Sequence, residues 1–473
     1  MGTILDQDAG EILAALRSGG VTAETLMAQT LERISIRNGA VNAIVDLRDP
    51  NSLMAEARDA DAAEVKGALH GLPIAVKALA DVKGTRNTQG SPLFAEHLSE
   101  KDSAFVAAMR AEGAIFIGKT NVPEFGLGSH SYNPVHGVTR NPYALDRTAG
   151  GSSGGAGAAL ATGMVALADG SDMMGSLRNP AAWNNVYGFR PSWGVVPREA
   201  GSESFWQQLS TIGPMARSPR DVALLLSAMA RFEPRVPFNM PLQNWTLPEK
   251  CSTAGKRIGW LGDWGGAMPM EPGIVDLCRE GLQCLEVLGA EVVALAPPFD
   301  AEDIFWAWTD LRSFALAGEL ASLFDDPVAR QRLKPEAQWE VERGLVMDAR
   351  ALHRANAVRA AWFARAAGLF EQYDVLALPV AQCWPFPVDW EWPSEINGVA
   401  MDTYHRWMQV MVPVSLLGLP AISVPVGFND QGLPMGVQLI GAKGSDTALL
   451  EVAQAYHEAT FWPQKYPPNI HEG

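Results

Sequence analysis

Three glycine-containing segments hold residues that could perform acyl transfer. GLPIAVK ends at Lys77, GGSSGG at residues 150–155 contains Ser152, and GSDMMGS at residues 170–176 ends at Ser176. A serine hydroxyl is a weak nucleophile unless a neighbouring group accepts its proton, and a neutral lysine amine can do so. The segments therefore contain candidates for a serine nucleophile and a lysine base.

The residues around Lys77 favour that chemistry. An apolar run at residues 72–76 precedes it, and Ala78, Leu79 and Ala80 follow it. The ordinary lysine pKa is ~10.4, so lowering it to ~7–8 requires burial or a nearby cation and costs roughly 4 kcal/mol. The apolar flanks predict a buried lysine; the alternative is a surface lysine whose aliphatic chain lies along the protein.

Two shorter motifs suggest other chemistries but lack the required context. GAIFIGKT at residues 113–120 matches the phosphate-binding pattern, yet its variable residues form an apolar strand instead of an anion-binding turn. GSSGG at residues 151–155 would make Ser153 the nucleophile of a strand-to-helix turn, but NPYALDRTA before it is unsuited to a core strand. His405 and His457 could complete such a triad, but we expect both to be ordinary polar residues on helix faces.

The three segments together resemble the amidase signature family, and the resemblance covers most of the chain. It continues through NVPEFG at residues 121–126, NPVHGVTRNPY at 133–143, GFRPSWGVVP at 188–197, GPMARS at 213–218, GLPAISVPVGF at 418–428 and GLPMGVQLIG at 432–441. The resemblance implies a catalytic set of Lys77, Ser152 and Ser176, with Ser176 as nucleophile. It also implies a mixed, mainly parallel β-sheet wrapped by helices.

The resemblance further assigns an oxyanion hole to the backbone N–H groups of Met173, Met174, Gly175 and Ser176. The chain departs from the family here, because Met174 replaces one of two glycines. If that position needs a positive φ, methionine would be strained there. We expect the hole to persist and the thioether to shape the acyl pocket, with Asp172 and Arg178 supporting the loop.

The substrate pocket is predicted from aromatic residues and from weaker resemblance. CWPFPVDWEW at residues 383–392 is too rich in proline for helix or central strand, so it should be a rigid loop. We place Ser131, Trp384, Phe386 and Trp407 in the pocket; the alternative for the helical stripe with Trp407 is core packing. The chain looks most like branches acting on 6-aminohexanoate cyclic dimer, aryl amides and urethanes, so apolar amides or carbamates are the expected substrates.

The elements that position these residues alternate between strand and helix. Apolar runs at 72–76, 114–117, 257–261, 291–295, 375–380, 421–426 and 436–440 predict strands. Helical spacing or composition predicts helices within 9–62 and at 104–112, 156–167, 274–288, 306–368 and 447–457. This order predicts an α/β fold. We expect a single domain over 1–473, with a helical segment at 1–65 and pocket-shaping insertions around 300–410.

Composition restricts the partners. The net charge of −16 disfavours nucleic acid and anionic membranes, so a small-molecule substrate is expected. The four cysteines have no zinc-ligand spacing, and no apolar run is long enough to span a membrane. We predict a cytoplasmic monomer or homodimer without metal or cofactor.

Two other functions stay open. One is the glutaminase component of a tRNA-dependent amidotransferase, against which the acidity and Met174 argue. The other is a non-catalytic amidase-like binding protein, against which the presence of Lys77, Ser152 and Ser176 together argues.

Overall fold

A computed structural model describes residues 3–64, 67–198, 204–206 and 208–470. Its β-strands are β1 (Ile44–Val45), β2 (Pro73–Lys77), β3 (Ile115–Thr120), β4 (Tyr132–Asn133), β5 (Gly137–Val138), β6 (Arg140–Asn141), β7 (Ala144–Thr148), β8 (Leu167–Asp172), β9 (Tyr187–Arg190), β10 (Thr211–Ala216), β11 (Arg257–Trp260), β12 (Glu291–Ala294), β13 (Val375–Pro379), β14 (Glu395–Ile396), β15 (Val399–Ala400), β16 (Ala421–Phe428) and β17 (Pro434–Ile440).

The α-helices are α1 (Ala9–Ser18), α2 (Ala23–Val41), α3 (Pro50–Ala62), α4 (Ala104–Ala111), α5 (Gly154–Ala161), α6 (Arg178–Trp183), α7 (Pro219–Met229), α8 (Ile274–Val287), α9 (Ala301–Glu319), α10 (Ala321–Asp325), α11 (Pro327–Arg330), α12 (Pro335–Leu345), α13 (Ala349–Phe370), α14 (Val412–Leu417), α15 (Asp446–Thr460) and α16 (Trp462–Lys465). Short 3₁₀ helices lie at Ile4–Asp6, Pro92–Phe94, Glu124–Gly126 and Arg406–Met411. Local sequence explains several boundaries: Asp8 and Glu11 form a capping box before α1, and Gly19 ends that helix in the left-handed region.

One large mixed sheet forms the centre of the fold. Its strand order is β1-β3-β2-β8-β10-β9-β16-β17-β13-β11-β12. Parallel pairs join β3, β2 and β8 on one side and β13, β11 and β12 on the other. Antiparallel pairs join the strands between them, from β8 to β13, and attach β1 at the edge. The predicted mixed α/β fold is confirmed, with its parallel pairing confined to these two groups.

The pairing of β2 with β8 positions the site. The two strands are parallel, with Ala75 opposite Ala168. Their carboxyl ends therefore reach the same edge of the sheet, which brings Lys77 next to Ser171 and the loop that follows it. The β8 strand itself was not predicted, because LADGSD contains small and polar residues instead of the β-branched residues typical of strands.

A main apolar core surrounds the sheet, and a smaller cluster lies beside it. The core includes residues from Leu5 to Tyr456, and every residue of β2, β3 and β13 is buried. The smaller cluster joins Leu127 to helices α9, α10 and α12. In the described part of the chain, no helix is both long enough and apolar enough to span a membrane.

Candidate active site

Lys77 lies at the end of β2, where its side chain is completely enclosed. Its residue exposure is 1%, and its backbone N–H donates to Asp169 Oδ1 at 3.0 Å. Its Nζ lies 2.8 Å from the Oγ of both Ser152 and Ser153, and 3.0 Å from Ser171 Oγ. The amine is therefore in hydrogen-bond contact with the glycine-serine loop.

Burial controls the protonation of this lysine. It lowers the pKa of Lys77 to about 7, although the carboxylates of Asp169 and Asp172 act in the opposite direction. Burial also raises the pKa of Asp169 to about 6. Half of the Lys77 amines are thus neutral near pH 7, and a neutral amine can accept a proton. The predicted depression of the Lys77 pKa agrees with this environment.

Ser152 and Ser153, the two nearest of the three serines that contact Lys77, face different surroundings. Ser152, which follows a cis peptide bond after Gly151, lines the cavity described below. Ser153 is buried, its N–H donates to the carbonyl of Ser176 at 3.2 Å, and it is not among the residues lining that cavity. Ser152 is therefore the one of the two through which Lys77 can reach a bound molecule.

Neither of the two shorter motifs forms the site that its sequence pattern would predict. Lys119 of the phosphate-like motif lies within β3, is fully buried and donates to the carbonyl of Ala80. The strand before Ser153, β7, pairs with β6 in a two-stranded sheet separate from the central sheet, so it is no core strand. His457 lies on α15, as predicted, and contacts the hydroxyl of Tyr187 at 3.1 Å.

The loop between β8 and α6 carries Ser176 and is held by Asp172. Asp172 Oδ1 accepts the N–H of Gly175 at 2.8 Å, and its carboxylate pairs with Arg178 at 3.0 Å and Arg190 at 3.1 Å. Burial alone would raise the pKa of Asp172, but the two arginines outweigh it and hold that pKa well below its ordinary range. The predicted supporting roles of Asp172 and Arg178 fit these contacts.

The proposed oxyanion donors are only partly available. Gly175 differs from the prediction, because Asp172 already accepts its N–H. Within the described residues, the N–H groups of Met173, Met174 and Ser176 have no protein acceptor, so these three can donate to a bound oxygen. In this loop Gly175 has a positive φ, +86°. Met174 does not have a positive φ. Methionine is therefore unstrained at the position where the family resemblance expects glycine.

These residues open onto a cavity of about 210 Å³. Its polar lining includes the catalytic candidates together with Ser103, Asp169, Ser171, Arg198, Ser210, Arg312, Glu319, Tyr404 and His405. Its apolar lining comprises Leu79, Ala80, Phe105, Phe125, Leu127, Met173, Met174, Ile212, Leu316 and Met408. Both methionines before Ser176 thus shape the cavity, as expected for Met174.

The four residues predicted for the pocket lie elsewhere. The Oγ of Ser131 accepts the N–H of Gly154 at 3.1 Å and so supports the glycine-serine loop. Trp384 donates to the carbonyl of Pro272 at 3.2 Å. Phe386 and Trp407 pack edge to face in the core, with ring centres 5.4 Å apart. None of the four residues is among those that line this cavity. For Trp407 the core-packing alternative fits, because an aromatic stripe has the same spacing whether it packs in a core or lines a cavity.

Helix α9 supplies the wall that the sequence analysis did not identify. Trp308 donates to the carbonyl of Met173 at 3.2 Å, and Arg312 Nη1 lies 3.0 Å from Met173 Sδ. Trp308, Arg312 and Leu316 recur at intervals of four residues, which places them on one helix face. An arginine on an apolar helix face was a signal that could have identified this wall.

His405 is also placed differently from the prediction. It precedes the 3₁₀ helix Arg406–Met411, is fully buried, and lines the cavity. Its Nε2 lies 2.7 Å from Glu340 Oε1. His405 is therefore part of a buried polar cluster, and the expectation of an ordinary polar residue on a helix face is wrong.

Comparison with known proteins assigns this geometry to a family. A family model described as Amidase matches residues 25–450. The chain is 34% identical to one component of the glutamyl-tRNA(Gln) amidotransferase of Thermosynechococcus vestitus, over 88% of this chain and 90% of the relative. A bacterial aryl acylamidase of the amidase signature family superposes with a TM-score of 0.91 at 27% identity, over 98% of this chain and 99% of the other. A 6-aminohexanoate cyclic dimer hydrolase bound to its substrate gives a TM-score of 0.85 at 25% identity, over 98% and 99% of the two chains.

Proposed function

Because the chain belongs to the amidase signature family and is an amide-hydrolysing enzyme, we propose that it cleaves its substrate through an acyl-enzyme on Ser176. Ser152 and Lys77 relay the proton. The observation that carries this proposal is the contact of 2.8 Å between Lys77 Nζ and Ser152 Oγ in the cavity that Ser176 also lines. A buried amine with a pKa near 7 beside a cavity-facing hydroxyl is suited to general base catalysis.

The proposed reaction begins with the transfer of two protons toward Lys77. Neutral Lys77 accepts the proton of Ser152, Ser152 accepts that of Ser176, and Ser176 Oγ attacks the amide carbonyl carbon. The negative charge on the carbonyl oxygen is stabilised by backbone N–H groups of Met173, Met174 and Ser176. When the carbon–nitrogen bond breaks, the relay returns the proton to the leaving amine. Water then attacks the acyl-enzyme by the same route and releases the acid.

Serine variants test the relay, with Ser153 as the matched control. Ser176→Ala should abolish turnover, and Ser152→Ala should lower kcat by about 10²–10⁴-fold, the usual contribution of a proton-transfer group. Ser153→Ala loses an equally short contact to Lys77 but no cavity-facing hydroxyl, so it should retain far more activity. Melting temperatures of the three variants control for folding. Equal losses in Ser152→Ala and Ser153→Ala would contradict the assignment of the relay to Ser152.

For the substrate we propose an apolar or aryl amide, with carbamates as a second class. Phe105, Phe125, Leu127, Ile212 and Leu316 supply apolar cavity walls suited to such a body. A panel of p-nitroanilides, an aryl carbamate, glutamine and malonamide, compared by kcat/KM, tests this class. Preference for glutamine or malonamide would contradict it.

The glutaminase component of an amidotransferase is the second candidate, because its relatives match this chain over most of its length. It requires glutamine hydrolysis coupled to a partner protein.

We propose instead that the enzyme acts on a free small molecule as a monomer or homodimer, without nucleic acid, membrane, metal or cofactor. Mass measurement of the purified protein, with glutamine-dependent ammonia release, separates the two. Labelling by a fluorophosphonate probe, lost in Ser176→Ala, separates both from a non-catalytic binding protein.

A further inference from the structure

Asp169 is a buried carboxylate beside the catalytic lysine that takes no part in the relay described above. It lies on β8, is 1% exposed and is among the residues that line the cavity. Its Oδ1 accepts the backbone N–H of Lys77 at 3.0 Å. A carboxylate in such a place needs compensation, because its removal from water costs free energy. The groups around Asp169 therefore determine whether it is charged.

Lys119, the lysine of the phosphate-like motif, lies on the same face of the sheet as Asp169. In the parallel pairing of β2 with β3, Lys119 lies opposite Val76. On the other side of β2, Ala168 of β8 lies opposite Ala75. The residues that follow these two, Asp169 and Val76, are therefore neighbours as well. Since residues opposite one another on adjacent strands point to the same face, Val76 separates a buried carboxylate from a buried amine.

Burial affects both of these groups, and each opposes that effect in the other. Burial raises the pKa of Asp169 to about 6, although Lys77 and Lys119 act in the opposite direction. Burial lowers the pKa of Lys119 to about 8, although four carboxylates, Asp169 foremost, act in the opposite direction. Near pH 7 Asp169 is thus ionised and Lys119 is protonated. Their charges balance while Lys77 is neutral.

The relay changes this balance, because it places a positive charge on Lys77. Within the described residues, the hydrogen-bond partners of Nζ are three serine hydroxyls and one backbone carbonyl, all of which are neutral. The two carboxylates whose charge acts on the amine are those of Asp169 and Asp172. Asp172 forms ion pairs with two buried arginines, whereas the cations that act on Asp169 are Lys77 and Lys119. Asp169 is therefore the carboxylate best placed to respond to the charge of Lys77.

Other titratable side chains face the same cavity from several elements. They are Arg198, Arg312, Glu319, Tyr404 and His405. Of the described residues, Asp169 and Asp172 are the ones whose charge acts on Lys77. A change in the strength of the base can therefore be traced to these two carboxylates.

We propose that Asp169 is the positioning residue of the catalytic base. Its ionised carboxylate fixes the end of β2 through the backbone N–H of Lys77, and it stabilises the ammonium group that forms when Lys77 accepts the proton of Ser152. Lys119 keeps Asp169 ionised while Lys77 is neutral. This inference rests on the proposed relay and deepens it, because it identifies the group that sets the strength of the base.

Asparagine at position 169 separates the charge from the contact. Asp169→Asn keeps an oxygen that can accept the N–H of Lys77, but it carries no charge. Because the ammonium group is then less stable, Lys77 becomes a weaker base. The acid limb of activity should move to lower pH by about one unit, and the alkaline plateau should fall roughly tenfold. A side chain with a purely structural role would lower the plateau without moving the limb.

Two readouts measure the limb. The rate at which a fluorophosphonate labels Ser176, from about pH 5 to about pH 10, reports the base without a known substrate. The value of kcat/KM for the p-nitroanilide that the parent cleaves fastest reports it in turnover. An acid limb of Asp169→Asn that coincides with that of the parent in both readouts would overturn the role of Asp169.

Asp446→Asn is the matched control. Asp446 is also fully buried and also accepts a backbone N–H, that of Ser192 at 2.7 Å, but it does not line the cavity. Its charge does not act on Lys77, so the limb should stay where the parent has it. Equal shifts in Asp446→Asn and Asp169→Asn would contradict the assignment to Asp169.

A double variant keeps the test valid if Asp169→Asn does not fold. The single substitution leaves Lys119 buried without its carboxylate, which is destabilising. Asp169→Asn combined with Lys119→Met removes both charges. Its limb should also lie below that of the parent, because Lys119 acts on Lys77 through Asp169. A folded double variant, verified by its melting curve, with the limb of the parent would overturn the role of Asp169.

The labelling experiment separates this role from the relay itself. If the parent is labelled at Ser176 with an acid limb and Asp169→Asn has the same limb, only the role of Asp169 is wrong. If the parent is not labelled at Ser176 at any pH, the proposed acyl-enzyme is wrong and the role of Asp169 with it.

Discussion

Replacement of Lys77 by methionine should reveal its lowered pKa as a pH-dependent change in stability. In the folded protein the pKa of Lys77 is about 7, against an ordinary value of 10.5. Between these two values the unfolded chain binds more protons than the folded one, so the stability of the parent rises with pH across this window. Below pH 7 both states are protonated, and the parent bears the full cost of burying the ammonium group. The methionine variant lacks the titration of Lys77.

The size of the effect follows from linkage. Integrated from pH 6 to pH 9, the difference in bound protons contributes about 3 kcal/mol to the free energy of unfolding of the parent, relative to Lys77→Met. This figure depends on the two pKa values and not on the hydrogen bonds that the variant loses. The same titration should limit catalysis, so kcat/KM at pH 6 should be roughly one tenth of its alkaline plateau.

Two measurements check this expectation. Urea unfolding of the parent and of Lys77→Met, with reversibility verified at pH 6 and at pH 9, gives the change in their stability difference. The pH dependence of kcat/KM for the parent gives the pKa of the catalytic base in the free enzyme. A stability difference that is the same at both pH values, together with no acid limb near pH 7, would refute the lowered pKa of Lys77.

Three further substitutions test the loop that carries Ser176. Gly175→Ala should lower kcat by roughly 10²–10³-fold, because the residue has a φ of +86° and a Cβ would lie 2.5 Å from Met411 Cγ; steady-state kinetics with a melting curve would check this, and near-parental kcat would contradict it. Asp172→Asn should destabilise the protein by about 3–5 kcal/mol, since it leaves buried arginine charge without its partner, and unchanged urea unfolding would refute it. Trp308→Phe removes the 3.2 Å hydrogen bond to the Met173 carbonyl and should lower kcat more than it changes KM; a pure KM effect would point to substrate contact instead.

Much of the fold could be predicted from local pattern. The apolar runs at 72–76, 114–117 and 375–380 correspond to β2, β3 and β13. Helical spacing identified the helices of the N-terminal segment, and composition identified the helical region predicted over 306–368. The helix predicted over 156–167 ends at Ala161, and β8 begins at Leu167. Small residues in β8 carry no strand signal of their own; they are needed because other chain segments approach closely, as Leu177 and Ser153 do at Gly170.

The sequence by itself indicated the candidate chemistry, because Lys77, Ser152 and Ser176 each lie in a short segment that resembles a segment of the amidase signature family. Only the tertiary structure decided which side chains surround them. The wall at Met173 is built by Arg312, which lies 139 residues further along the chain, and the predicted pocket residue Trp407 stacks on Trp183 in the core instead. Periodicity shows that a face is buried, but burial against a cavity and burial against a core leave the same pattern. The difference arises only when distant segments pack together.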